Sequence, residues 1–479
     1  MLYIIFLFSC IACKKSWLEV VPMGQRVASN VNDYELLMND PGYYLYAWSG
    51  GWQEPMFMGD EVAAEGAYFL NRSVIKERLF RWTDTIYVNS NETAPAITLH
   101  NTQMYSLNKV INEVMETDGG TIQQKSVLLA EARATRAWSN FNMVNYYCKP
   151  YVAATAGTDP GFPIIDKADV NTAVYPRGTL QQSYDFIIND YKEAIKNLPV
   201  KRTITTRMSR PAAEGLLGKV YLFMGKPAEA LPYLQSALSQ VSANGSPGLY
   251  NFNETLAPGG AFLPIDPVNG PRSPWQNPSD LKEALVSKVW NCGPYTSLGN
   301  GGLVLAPWAA ALYGPGDLRL QLYTKRNPDN TPNPGGRLRK YGAQYARFGL
   351  QLPELYLLSA ECKARTGDLT GAVADVETLR KNRMPAADAT VPSIIAGNQN
   401  ALIKFIIEER VREFAMEGSR WFDMRRISVD PVFTGISFKH TIYNANGSTT
   451  EYTLPLPNRL VLKFPRNIME GSTDMTNNP

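Results

Sequence analysis

Two stretches far apart in this chain spell the same helix–turn–helix, and that repetition limits the fold more than any single motif does. The first is Pro211 to Leu238, PAAEGLLGKVYLFMGKPAEALPYLQSAL. The second, Leu350 to Arg383, contains LYLLSAECKARTGDLTGAVADVETLRKNR. Ala360, Gly367 and Ala372 of the second stand where Gly218, Gly225 and Ala230 stand in the first, at the same intervals. Small residues at such positions let two helices cross closely, and a glycine between them permits the sharp reversal of the chain.

With Tyr221 and Ala237 added, the spacing is that of a tetratricopeptide repeat. A single repeat-like pair cannot bury its own faces and needs neighbours. The chain supplies them. Apolar residues recur with helical period in Asn32–Asn39, in Ala94–Glu116 (Met104, Leu107, Val110, Ile111, Val114), in Ile122–Tyr147 and in Leu180–Leu198. Near the end, Ala401 to Arg426 carries Ile403, Ile407, Val411, Phe414, Ala415 and Gly418 on one stripe. Glu408, Arg412, Glu413 and Glu417 fall mostly on the other faces, with Glu408 and Arg412 spaced for an i, i+4 pair. The spacing predicts one helix, loosened at Gly418. Between the two repeats lies an insertion, 243–349, dense in Pro, Gly, Asn and aromatics, so the array is no simple solenoid. Only Leu281–Trp290 and Pro307–Tyr313 read as regular there. Long irregular segments inside a folded domain are usually functional when they carry this many large rings.

Chemistry is excluded more readily than it is assigned. Charge is nearly balanced, a net +3 over 479 residues, with no Lys/Arg-rich run and so no nucleic-acid footprint. There are two histidines, His100 and His440, which weakens any metal or His-based mechanism. No P-loop, HExxH, GxSxG or dinucleotide fingerprint is present; no metal and no cofactor is implied. The adjacent acids Asp60–Glu61 and Glu408–Glu409 are the obvious carboxylates for a glycosidase, whose pairing would be spatial. Cys148, Cys292 and Cys362 form no CxxC pair and are expected as small buried side chains. At the start, Leu2 to Ala12 is apolar but too short to span a bilayer, as in a signal peptide. Small residues precede Cys10 and Cys13, the pattern of a lipidated cysteine.

The string Glu409-Arg410, Glu413-Phe414, Glu417-Gly418, Arg420-Trp421-Phe422-Asp423 and Arg425 resembles the C-terminal signature of the SusD/RagB family of outer-membrane, nutrient-binding lipoproteins. The alanine- and arginine-rich AEARATRAWSNFNMVNYYCKPY is similar to a family helix, and Asp317-Leu318-Arg319 to its Asp-Pro-Arg. Cys13-Lys14-Lys15-Ser16-Trp17-Leu18-Glu19 resembles the start of mature members, which favours Cys13 over Cys10 for lipidation. The resemblance implies a signal peptide at 1–12 and a SusD-like domain at 13–479 containing the insertion 243–349. The expected fold is mainly α: a SusD-like helical scaffold with tetratricopeptide-repeat-like helix pairs and a long irregular loop-rich insertion. The expected place is the cell surface, lipid-anchored in the outer membrane. The expected partners are an oligosaccharide or peptide nutrient and a SusC-like TonB-dependent outer-membrane barrel.

In such proteins, aromatics on loops that decorate the scaffold cradle glycans, because flat, stiff rings match sugar C–H faces at little entropic cost. Trp48 and Trp52 in the first aromatic segment, and Trp275, Trp290, Tyr295 and Trp308 in the insertion, are the candidate ligand-binding residues. Asn291, Asn300 and Arg72 are weaker polar candidates. No residue is assigned a catalytic role, so the chain reads as a binding protein and not an enzyme. Its rivals are a repeat-scaffold adaptor for a protein or peptide, and a glycosidase.

Overall fold

The long helices begin where the sequence supplies a cap. Thr121 accepts from the backbone of Gln124 while the Gln124 side chain accepts from Thr121 N, and Thr179 and Gln182 do the same. The computed structural model describes residues 28–46, 53–70, 74–169, 175–291, 302–327, 329–341, 345–472 and 475–479. Its longer helices are α1 (Val31–Met38), α2 (Pro95–Glu113), α3 (Ile122–Tyr147), α4 (Leu180–Ile195) and α5 (Arg210–Phe223). They continue with α6 (Pro227–Asn244), α7 (Leu352–Arg365), α8 (Leu369–Arg380), α9 (Gln399–Phe414) and α10 (Ser419–Ile427). The expected helices are therefore present, most with ends within a few residues.

The two repeat-like stretches are the antiparallel pairs α5–α6 and α7–α8, turned by Gly225 and Gly367 with positive φ. Successive helices from α2 to α6 pack on one another, and α6 packs on α7. The insertion that separates the repeats in sequence thus leaves the stack and returns to it, so the repeats are neighbours in space. The inner side of α7–α8 is filled by α9: Leu357, Ala360, Val376, Leu402 and Ile406 share one core cluster. That packing covers the inner side of the second repeat-like pair.

The insertion and the chain ends form small sheets. One has the order β1 (Leu45–Tyr46), β4 (Val289–Asn291), β8 (Tyr345–Arg347). A second runs β11 (Thr449–Thr453), β10 (Lys439–Tyr443), β2 (Val62–Glu65), β5 (Leu303–Leu305). Two-stranded pairs join β3 (Ala284–Val286) to β9 (Leu350–Gln351), and β6 (Tyr323–Thr324) to β7 (Arg339–Lys340). Leu281–Trp290 is therefore mostly β3 and β4, and of Pro307–Tyr313 only 307–310 is helical. Cys148 and Cys362 are free and buried, as expected; Cys292, Cys10 and Cys13 lie outside the described residues.

The C-terminal segment departs from its sequence reading in two ways. It is broken after Phe414, with Met416 at φ 62 and Gly418 at φ 87. Its charged face is also buried. The exceptions are Lys404, which is exposed, and Glu408, whose side chain is 46% accessible and lies 3.7 Å from Arg412. Arg412 instead meets Glu409 at 2.9 Å, and Glu409 further takes Arg319 at 2.7 Å and Arg380 at 2.8 Å. Arg383 joins Glu413 and Glu283, each at 2.8–2.9 Å. A second cluster links Arg410 to Asp423 and Arg426 to Glu361 and Asp423. Asp317 and Arg319, the pair similar to the family's Asp-Pro-Arg, fasten the insertion to α9 through this network.

Candidate ligand-binding surface

The register of the first sheet decides which parts of the chain meet. Tyr46 lies opposite Trp290 on the parallel strands β1 and β4, and Asn291 lies opposite Tyr345 on the antiparallel β8. The C-terminal ends of β1 and β4 and the N-terminal end of β8 therefore share one end of the sheet. Residues 47–52 and 292–301, the two aromatic-bearing segments, both begin there. Trp48, Trp52, Tyr295, Asn300 and Arg72 lie outside the described residues. Asn291 and Tyr345 are half-buried at this end. The chain resumes at Gly302, whose carbonyl accepts from Glu65 N at 2.8 Å on the second sheet.

Next to Glu65 a groove of about 590 Å³ opens between the 74–80 helix and the β10–β11 hairpin. Phe69, Val74, Arg81, Asn444, Thr450 and Tyr452 line it. Val74 is 55% exposed, and the Arg81 guanidinium lies 5.2 Å from the centre of the Tyr452 ring. The Phe69 and Tyr452 rings, the Asn444 amide and the Thr450 hydroxyl along this groove can satisfy a ligand with apolar faces and a hydroxyl rim, while Arg81 is paired with Glu77. Sequence reasoning missed this wall. Its signal was present: Asn446-Gly447 between two alternating runs marks a hairpin.

The described tryptophans take three different positions. Trp308, in the short 307–310 helix, is 38% exposed; its Nε1 donates to the Asp60 carbonyl at 2.9 Å, and the Arg420 guanidinium lies 5.2 Å from its ring. It is a ring held through its Nε1 and partly open to solvent. Trp275 is half-buried, donating to Glu417 at 2.5 Å with Lys340 Nζ 5.4 Å from its ring. It acts at least in part as an anchor of the insertion. Trp290 is 0% exposed, on the central strand of its sheet and beside Phe348 at 6.3 Å. This corrects its candidacy: a ring without accessible surface has none to offer a ligand, and β4 is central because β1 and β8 cover both its edges.

A further cavity of about 390 Å³ lies where Gly225, the end of α7 and the start of α9 meet. Its guanidinium groups, Arg365 and Arg426, are already engaged by Glu361, Asp430 and Asp423, and no described residue of the insertion lines it. The adjacent acids offer no cleft either. Asp60 is held by Arg420 at 2.6 Å, Glu61 is fully buried, and Glu409 is enclosed by arginines. His100 is buried against Ser139 Oγ at 3.0 Å, and burial pushes its pKa down to about 3. Among the described residues no group of three or more His, Cys, Asp or Glu is arranged to hold a metal, and no helix is long and apolar enough to cross a membrane.

A stacked-helix scaffold that sends one long insertion out to a sheet end and groove defines a SusD-like architecture. The family model described as starch-binding, associating with outer membrane, matches residues 63–222, and that of the SusD family matches residues 294–469. The chain belongs to the SusD/RagB family. Among solved structures it is similar to a SusD superfamily protein from Bacteroides vulgatus, with 19% identity, 94% of this chain and 99% of that one covered, and a TM-score of 0.70. A SusD-like carbohydrate binding protein from the same organism matches at 14% identity, covering 94% and 98%, with a TM-score of 0.68. A laminarin-binding SusD-like protein matches at 17% identity, covering 94% and 100%, with a TM-score of 0.65. At these identities the likeness concerns the fold. No curated protein matches the chain in sequence.

Proposed function

We propose that this protein is a cell-surface lipoprotein that binds a glycan and hands it to a SusC-like TonB-dependent barrel in the outer membrane. The observation that carries the reading is the strand register around Trp290. It brings the starts of both aromatic segments to one sheet end, and the second of them leads on to the groove of Tyr452. Relatives of the same fold that bind carbohydrate, one of them laminarin, support the class of ligand. Lipid at Cys13, ahead of the first described residue, would hold the protein at the membrane. Each ring stacked on a sugar contributes about 0.5–1.5 kcal/mol beyond area burial. A few of them give dissociation constants on the order of micromolar to millimolar, weak enough for release to a transporter.

Isothermal titration of the mature protein against a glycan panel that includes laminarin tests this. For a glycan that binds, Trp308→Ala and Tyr452→Ala should each weaken affinity about two- to twelvefold. Trp48→Ala, Trp52→Ala and Tyr295→Ala test the segments that leave the sheet end in the same way. A panel without any binder removes the glycan reading. A binder indifferent to all five substitutions removes this surface.

A further inference from the structure

His440 sits in β10, fully buried, and each of its ring nitrogens lies against a backbone carbonyl oxygen. Phe80 and Trp82 stack on its ring at 4.1 and 3.8 Å between centroids, each 12° from parallel. Its Nδ1 lies 2.6 Å from the Phe80 carbonyl oxygen and its Nε2 2.6 Å from the Gly59 carbonyl oxygen. A carbonyl oxygen only accepts, and a neutral imidazole has one N–H to give. In the neutral ring one of these two contacts would set lone pair against lone pair at hydrogen-bond distance. The imidazolium donates to both.

Two further features favour the charged ring and one opposes it. Aromatic faces above and below attract a cation. The nearby Asp60 carboxylate adds attraction. Burial opposes and pushes the His440 pKa down against the pull of Asp60 and the two carbonyls, but the lone-pair repulsion that a neutral ring would meet at one of two 2.6 Å contacts outweighs it. The other charged or titratable groups about this site are Glu61 on the same turn, Arg420 on α10, Glu77 and Arg81 beside Phe80, and Tyr452 opposite His440 on β11. Arg420 is paired with Asp60 and Arg81 with Glu77, so neither is free to displace the ring's charge.

The Gly59–Glu61 turn is what the ring holds. Asp60 offers its carbonyl to Trp308 Nε1 and its carboxylate to Arg420, whose guanidinium faces the same indole. We infer that His440 is a doubly protonated positioning residue that fastens this turn to β10 and so sets the orientation of the Trp308 ring. The value of that orientation for a ligand rests on the function proposed above; the charge state and the coupling do not.

The chain has only two histidines, which makes the charge state readable. In protein labelled with ring-¹⁵N histidine, both His440 nitrogens should carry protons at about pH 7, where free imidazole is mostly neutral. His100→Gln and His440→Phe assign the two rings independently, so one unfolded variant does not block the reading. A single unprotonated His440 nitrogen at that pH overturns the inference. In protein labelled with 5-fluorotryptophan and assigned by Trp308→Phe, the Trp308 signal should move at the pH where His440 loses a proton. If His440 keeps both protons until the protein unfolds, His440→Phe must still shift that signal. A Trp308 signal indifferent to the state and identity of residue 440 also overturns the inference. Neither readout contains a glycan, so a failure of glycan binding remains separate.

Discussion

Glu409 is buried, which by itself raises a carboxyl pKa, but Arg319, Arg412 and Arg380 outweigh the burial and hold it at about 2. Glu361 and Asp423 are held at about 2 in the same way, by Arg426 with Arg365 and by Arg410 with Arg426. Glu61 and Glu54 go the other way: burial dominates and pushes each up to about 8. The signs follow. A carboxylate with a lowered native pKa contributes stability above its unfolded value and loses it as pH falls through the native one. Acid unfolding should therefore draw on the window from about pH 4.5 down to about pH 2. Glu409→Gln should cost about 3–5 kcal/mol in urea unfolding at neutral pH, because it leaves buried guanidinium groups without their charge partner. Its deficit against wild type should shrink as pH falls through that window. For Glu61 the native state keeps a proton that the unfolded chain releases above about pH 4.5, so stability falls as pH rises toward about 8. Glu61→Gln should leave the free energy of urea unfolding unchanged near pH 4 and raise it near pH 9, by about a few kcal/mol at most. A variant less stable than wild type at both pH values would show that the carboxylate is solvated or paired after all.

The break between α9 and α10 is the element that ties the insertion to the scaffold. Glu417, inside it, takes both Trp275 Nε1 and Lys340 Nζ, and Lys340 also donates to the Ala415 carbonyl at 3.0 Å. One turn later Arg420 reaches Asp60, beneath Trp308. Gly418 makes the bend possible. Its φ is 87°, and a Cβ there would lie 3.2 Å from the Phe348 ring and 3.3 Å from Met56 N. Gly418→Ala should cost about 1–3 kcal/mol in urea unfolding, through a strained φ and a tight contact together. A loss near zero would mean that the break relaxes freely. Much of this element was legible beforehand. The stripe Ile403, Ile407, Val411, Phe414 was readable because the helical period sets which residues share a face. The burial of the opposite face was not readable, because Glu409 and Arg412 look the same in a sequence whether water or Arg319 and Arg380 surround them.

At the scale of the molecule, the stack of α5–α6 against α7–α8 makes one scaffold out of two repeats and leaves the insertion to carry the surface. If that surface serves a barrel-bound transporter, the protein should be tethered and partnered. Cys13→Ala should move it from the membrane fraction to the soluble one. Gentle detergent extraction of native membranes should yield it together with a large β-barrel protein. Recovery without a barrel, under conditions that keep other outer-membrane complexes intact, would count against the handover. The family, the helices and their order were determined by the sequence alone, since repeat spacing, caps and periodicity act over a few residues at a time. Only the tertiary structure decided that the charges of the C-terminal signature are buried partners of Asp317 and Arg319, that Trp290 is core while Trp308 is surface, and that β1, β4 and β8 bring two distant segments to one end. The physical reason is common to all three. A local pattern fixes which side chains point the same way, whereas what covers them is supplied by residues far away along the chain, as with Glu409 and Arg319, His440 and Gly59 or Arg420 and Asp60.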